Sequence, residues 1–197
     1  MSFPLILASK SPRRAQILKQ LGIEFRIEAP HCDENTVNIP IQGIPKELAK
    51  RKALSISAKF QNSFVLGGDT LVFCENTVFG KPKNKENAVE MLKKLRNKTH
   101  NVVSGIALYK DGELLFEGEN QTEVHFRDYS DFEILNYIAE MEYADKAGAY
   151  GAQGKGARFI ESINGCFYNV MGLPVALTIE ALSKIKNGEV YGRRTRK

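Results

Sequence analysis

The hydrophobic positions fall into short runs that alternate between two periods. Leu5 to Ala8 is a brief apolar run bounded by Ser and Lys, which reads as a buried strand. Ser11-Pro12 then opens a helix, with Ser11 at the N-cap and Pro12 at the first helical position; Ile17, Leu18 and Leu21 share one face, and Gly22 ends it. Ile23 to Glu28 is a second strand. A helix from Pro45 carries Ala49, Ala53, Ile56 and Phe60 on one stripe. Phe64 to Phe73 is strand-like but broken by Gly67-Gly68-Asp69-Thr70, and Glu75-Asn76 makes a turn. Asn84 to Asn97 is an amphipathic helix built on Ala88, Met91, Leu92 and Leu95. Asn101 to Phe126 holds strands around the turn Lys110-Asp111-Gly112. Ser130 caps a helix with Ile134, Leu135 and Ile138 inward. Ala147 to Gly156 is a Gly/Ala loop without periodicity, and Leu173 to Lys186 is a last helix. The alternation predicts an α/β fold with a mixed sheet.

Composition narrows the class. A chain of 197 residues, 43% hydrophobic and 26% charged, suits one compact domain with two lobes. No window nears the roughly 18 apolar residues of a membrane span. Met1 to Ser9 lacks a basic n-region and a small-residue cleavage site, so a first strand is expected there, not a signal peptide. Cys32, Cys74 and Cys166 are too scattered for a disulfide framework or a zinc site, which points to a reducing compartment, the cytoplasm.

The net charge of +5 invites a nucleic-acid reading. Its location argues otherwise. From Ser183 onward six basic side chains face Glu189 alone, and the first 182 residues hold 22 basic and 22 acidic groups. Residues 183–197 are therefore a helix end and basic tail on a neutral body, and neither a stable nucleic-acid partner nor a membrane partner is expected.

Four places carry candidate chemistry. In Ser9-Lys10-Ser11-Pro12-Arg13-Arg14, two arginines occupy the first turn of a helix, where cations cost roughly 0.3–1 kcal/mol each. Either an anion such as phosphate is bound there, or the arginines reach away to solvent or to acidic neighbours. On the first view, removing Arg14 leaves the stability of the ligand-free protein unchanged or slightly raised. Gly67-Gly68-Asp69-Thr70 ends an apolar run with a carboxylate, which is either a site acid or a turn with an Asx hydrogen bond. Lys52 lies at the edge of its helix's apolar stripe, and Lys81 sits in the stiff Gly80-Lys81-Pro82 loop; each either directs a cation or lays its stem on apolar surface. In His31-Cys32-Asp33-Glu34, His and Cys lack zinc partners, while Glu34 suits Mg²⁺ or Mn²⁺. No Walker A loop, no GxGxxG after a strand and no serine nucleophile elbow occurs.

These pieces, in order, resemble the Maf family. Leu7-Ala8-Ser9-Lys10-Ser11-Pro12-Arg13-Arg14, Lys52-Ala53, Gly68-Asp69-Thr70, Gly80-Lys81-Pro82 and Lys98-Thr99-His100 match its pattern. Asp145-Lys146-Ala147-Gly148-Ala149-Tyr150-Gly151-Ala152-Gln153-Gly154 and Tyr168-Asn169-Val170-Met171-Gly172-Leu173-Pro174 do so too. The resemblance covers residues 5–182, so 1–182 is expected to be a single Maf-like domain.

It implies an inosine-triphosphatase-like fold, a central mixed sheet flanked by helices, with a cleft between two lobes. It implies a nucleoside-triphosphate pyrophosphatase that needs a divalent cation (Mg²⁺ or Mn²⁺), commonly a homodimer. Carried over by position, Asp69 prepares the attacking water or links to the metal, and Glu34 helps hold the metal. Ser9, Arg13, Arg14, Lys52 and Lys81 meet the triphosphate, and Arg13, Thr70 and Gln153 sort substrates by base. Together these last three resemble the branch preferring dTTP and UTP; the alternatives are the 7-methyl-GTP branch or a nucleotide-binding cell-division regulator with little turnover. Two stretches depart from the family pattern. Glu140-Met141-Glu142-Tyr143-Ala144 stands for a Gly-Glu-Pro turn, and Leu95-Arg96-Asn97 for Leu-Ser-Gly.

Overall fold

The computed structural model describes residues 5–36 and 38–185. Met1 to Pro4 of the expected first segment, Lys186 of the last helix and the remainder of the basic tail lie outside the described residues. Seven strands form one mixed sheet in the order β2-β1-β3-β5-β6-β7, with β4 paired to β3. In chain order these are β1 (Leu5–Ala8), β2 (Phe25–Glu28), β3 (Phe64–Cys74), β4 (Thr77–Phe79), β5 (Thr99–Lys110), β6 (Glu113–Phe126) and β7 (Ile160–Asn164). The helices are α1 (Pro12–Gln20), α2 (Ile44–Ser57), α3 (Lys85–Leu95), α4 (Asp131–Ala139), α5 (Phe167–Met171) and α6 (Val175–Ser183). Among the described residues no helix is long and apolar enough to cross a membrane.

The chain divides into two compact units; three of the four boundaries fall inside β3, β5 and β6, and the fourth follows α5. Among the described residues, the first unit comprises 5–36, 38–69, 104–120 and 172–185. Its centre is β1, parallel to both β2 and β3, as expected for strands joined by crossover helices. α2 lays Ala49, Ala53 and Ile56 on Ile6, Ala8, Val65, Ala107 and Tyr109. Glycine sets how closely that helix approaches. A Cβ on Gly67 would stand 2.2 Å from the Ala49 carbonyl oxygen, and one on Gly105 2.3 Å from the Lys46 nitrogen. Gly67 thus admits a helix backbone and does not break the strand. β3 runs unbroken through Gly67-Gly68-Asp69-Thr70, contrary to the expected interruption.

The second unit comprises residues 70–103 and 121–171. Val72 to Cys74 pair antiparallel with β4, and β6 pairs antiparallel with β7. α3 begins where Asn84 accepts the Asn87 N–H, and α4 where Ser130 and Glu133 form a capping box. The core holds Leu92, Leu95, Phe126, Tyr137, Tyr150 and Phe159. On α4 the buried stripe is Ile134, Tyr137 and Ile138, whereas Leu135 is 51% exposed; the aromatic Tyr137 fills the inward position three residues after Ile134. Asn97 adopts φ 53°, a left-handed turn, and asparagine tolerates that conformation well.

Candidate active site

In the first unit, β1 ends and α1 begins across Ser9 to Ser11. Ser11 is the N-cap residue, yet its side chain caps nothing; Ser9 Oγ accepts the Ser11 N–H at 3.1 Å instead. The same oxygen accepts from Arg14 Nη1 at 3.0 Å, and Arg14 Nε donates to the Gly172 carbonyl at 2.8 Å. Arg14 is buried, with its guanidinium laid on Gly68, where an added Cβ would be 3.0 Å from Nε. Burial lowers its pKa, the Asp69 charge opposes that, and Arg13 adds to the lowering. The first-turn arginine is thus fixed by internal hydrogen bonds. These bonds argue that Arg14 supports the ligand-free fold, against the expectation that it is neutral or costly there. Arg13, half-buried, follows directly after Pro12 on the same turn.

Asp69 lies between two pairings of β3. Parallel pairing with β1 ends at Ala8 opposite Gly67, and antiparallel pairing with β4 begins at Val72. Its carboxylate is therefore mid-strand, not at a strand end as the glycine pair suggested. Lys52 Nζ donates to Asp69 Oδ1 at 2.6 Å and lies 2.9 Å from Glu34 Oε1. The Lys52 and Asp69 side chains are only 13% and 15% exposed, while Glu34 is 61% exposed. Burial works to lower the Lys52 pKa, but the two carboxylates outweigh it and hold the ammonium above its ordinary value. Lys52 reaches this place because Ala49 and Ala53 seat α2 against the sheet.

The segment carrying Glu34 is held by a residue with no distinct signal in the sequence. Arg51 donates from Nη1 to the Asn35 carbonyl at 2.7 Å and the Asp33 carbonyl at 3.3 Å, with Nε on Glu47 at 2.9 Å. On a helix surface such an i,i+4 pair looks like any solvated ion pair. His31 and Cys32 form no metal-binding group, and among the described residues no cluster of three or more His, Cys, Asp or Glu is placed to hold a metal. Two hard carboxylates meeting at one cation nevertheless fit Mg²⁺ or Mn²⁺, which commonly takes one or two carboxylates and completes its shell with phosphate oxygens and water.

Thr70, Lys81 and Gln153 belong to the second unit. Thr70 is half-buried on β3. Lys81 is exposed just after Gly80, whose carbonyl accepts the Gly148 N–H at 3.1 Å. Gln153 is exposed on the Gly/Ala loop, which lacks periodicity because it is built of single turns: 3-10 turns at Ala147–Ala149 and Lys155–Phe159, with Gly148 and Ala149 left-handed at φ 71° and 62°. The structure thus brings Ser9, Arg14, Lys52, Asp69 and Glu34 together within the first unit.

The family model described as "Maf-like protein" matches residues 4–185. The chain is 44% identical over 181 residues to the dTTP/UTP pyrophosphatase of Aquifex aeolicus, covering 92% of this chain and 95% of that protein. It is 43% identical over 182 residues to the dTTP/UTP pyrophosphatase of Clostridium perfringens (90% and 95% covered). To that of Latilactobacillus sakei it is 42% identical over 178 residues (90% and 98%). A solved nucleoside-triphosphatase / dITP/XTP pyrophosphatase from Mycobacterium abscessus overlays 93% of this chain and 95% of its own at a TM-score of 0.44 and 11% identity, a likeness too distant to carry an argument.

Proposed function

The chain belongs to the Maf family, and on that premise we propose that it hydrolyses nucleoside triphosphates, dTTP and UTP foremost, to the monophosphate and pyrophosphate. The observation that carries the reading is the Glu34–Lys52–Asp69 group beside buried Arg14. The names of its relatives supply the substrate.

In this reading water attacks the α-phosphorus while the bond to the bridging oxygen of pyrophosphate breaks. Asp69 accepts a proton from that water. A free aspartate, with a pKa near 3.9, is a feeble base at neutral pH. A divalent cation held by Glu34 and Asp69 would supply the Lewis acidity that makes the water easier to deprotonate. Lys52 turns both carboxylates toward one point before any ligand arrives. Arg13, Lys52 and Lys81 offset the charge of the triphosphate, with Arg14 adding its field from beneath Ser9.

Base choice falls to Arg13, Thr70 and Gln153. The Gln153 amide has one acceptor and two donors, which matches the adjacent carbonyl and imide N–H of thymine or uracil. A mismatched base leaves those groups unpaired, which rejects it. We place the protein in the cytoplasm as a homodimer. Three free thiols suit a reducing compartment, and the dimer rests on the family resemblance and is checked by light scattering.

The test is a panel of dTTP, UTP, CTP, purine triphosphates and 7-methyl-GTP with Mg²⁺ or Mn²⁺, scoring pyrophosphate against orthophosphate. Pyrophosphate from dTTP and UTP well ahead of the rest is expected. Preference for 7-methyl-GTP would reverse the branch, and orthophosphate as product would reverse the reaction.

A further inference from the structure

One carboxylate of the second unit lies under the segment that presents Gln153. Glu142, half-buried, follows Met141, which is left-handed at φ 59°. Its Oε2 accepts the Lys155 N–H at 2.9 Å, and its Oε1 the Gly156 N–H at 3.5 Å. The loop closes round this group so tightly that a Cβ at either of two glycines would push the carboxylate aside. A Cβ on Gly154 would stand 2.4 Å from Glu142 Oε1, and one on Gly151 2.7 Å from the same oxygen. Lys146 fixes Glu142 from behind: its Nζ donates to the Glu142 carbonyl and to Asp145, while its stem lies under Gly151.

The flanks of the loop are anchored by ordinary burial, at Tyr150 and Ala152 on one side and Phe159 on the other. Gln153, Gly154 and Lys155 between them are exposed, so packing does not set their course. Hydrogen bonds to an ionised acceptor are stronger than neutral ones, and here they come from backbone N–H groups two and three residues beyond Gln153.

We infer that Glu142 is a positioning residue for base selection, holding residues 151–156 so that Gln153 meets the base in one orientation. The inference rests on the reading of Gln153 given above. Glu142 acts through the loop backbone. Misplacing a hydrogen-bonding amide by about 1 Å forfeits much of its discrimination, while the chemistry at Asp69 is untouched.

The experiment compares kcat and KM for UTP and CTP in the unmodified enzyme, Glu142→Ala, Glu142→Gln and Gln153→Ala, with melting curves for each. Glu142→Ala should cut the UTP-over-CTP ratio of kcat/KM by about tenfold, chiefly through a raised KM for UTP, with kcat held within about twofold. Glu142→Gln, which keeps one acceptor oxygen, should retain part of the ratio and serves if the alanine variant does not fold. Gly154→Ala, which pushes against the same carboxylate, should reproduce the loss.

An equal fall in kcat for both nucleotides, or an unchanged ratio in the Glu142 variants, would overturn the inference. If Gln153→Ala flattens the ratio and Glu142→Ala does not, only the role of Glu142 falls. If Gln153→Ala leaves the ratio intact, the reading of Gln153 falls and the role of Glu142 with it.

Discussion

Replacing Arg14 by alanine tests whether internal hydrogen bonds or helix electrostatics govern the start of α1. Truncation removes a bond to the Gly172 carbonyl at 2.8 Å and one to Ser9 Oγ at 3.0 Å. Hydrogen bonds to a charged group contribute about 1.5–3 kcal/mol each. Against that loss stand the macrodipole penalty, roughly 0.3–1 kcal/mol, and relief of the guanidinium's desolvation. The bonds outweigh the penalty, and the gap left against Gly68 adds to the loss, so a net destabilisation of about 2–4 kcal/mol is expected. For a chain of 197 residues this lowers the melting temperature by roughly 4–16 °C. Calorimetry without ligand is the assay, with Arg14→Lys as control. Lysine keeps the charge but loses the planar fork, so it should recover little of the stability. An unchanged or raised melting temperature in Arg14→Ala would refute the reasoning and return Arg14 to the role of an arginine waiting for an anion.

Further outcomes follow from the same geometry. Asp69→Asn should lower kcat by at least about 10²–10⁴ while the protein stays folded and binds nucleotide; near-normal turnover would remove Asp69 from the chemistry. Gly67→Ala drives a methyl group into the Ala49 carbonyl, 2.2 Å away, and should cost about 1–3 kcal/mol or more in urea unfolding. His100 is buried with its pKa lowered to about 3 by burial and, secondarily, by His125. Below about pH 6.5 the unfolded chain therefore takes up a proton that the native His100 does not, and stability falls by up to about 1.4 kcal/mol per pH unit until the folded pKa is reached. His100→Gln should flatten that slope, and an equal slope in both proteins would show that other groups carry the acid response.

The residues differ in how openly the sequence declared them. Arg13 and Arg14 stand out because they break a local helix rule, Lys52 because it edges an apolar stripe, Lys81 because a stiff Gly-Lys-Pro loop holds it, and Asp69 because it ends an apolar run. The meaning of Gly67 was hidden. A glycine that makes a turn and a glycine that admits a helix backbone look the same in one dimension, and only the 2.2 Å that would part an added Cβ from the Ala49 carbonyl oxygen separates them. Arg14 carried the same ambiguity, since its partners, Ser9 and Gly172, are 5 and 158 residues away. Long-range pairing of that kind leaves no periodicity. Leu135 was misplaced because hydrophobicity alone ranks it with Ile134, whereas the large ring of Tyr137 takes the inward position. Arg51 and Glu142 work through backbone carbonyl and N–H groups of distant loops, and side-chain spacing cannot show such partners.

The central claim is attack by water at the α-phosphorus of the bound triphosphate. Turnover of UTP in heavy-oxygen water, followed by mass spectrometry of both products, tests it most directly. One heavy oxygen in the monophosphate and none in pyrophosphate is the expected result. Label in pyrophosphate, or release of labelled orthophosphate, would contradict the account.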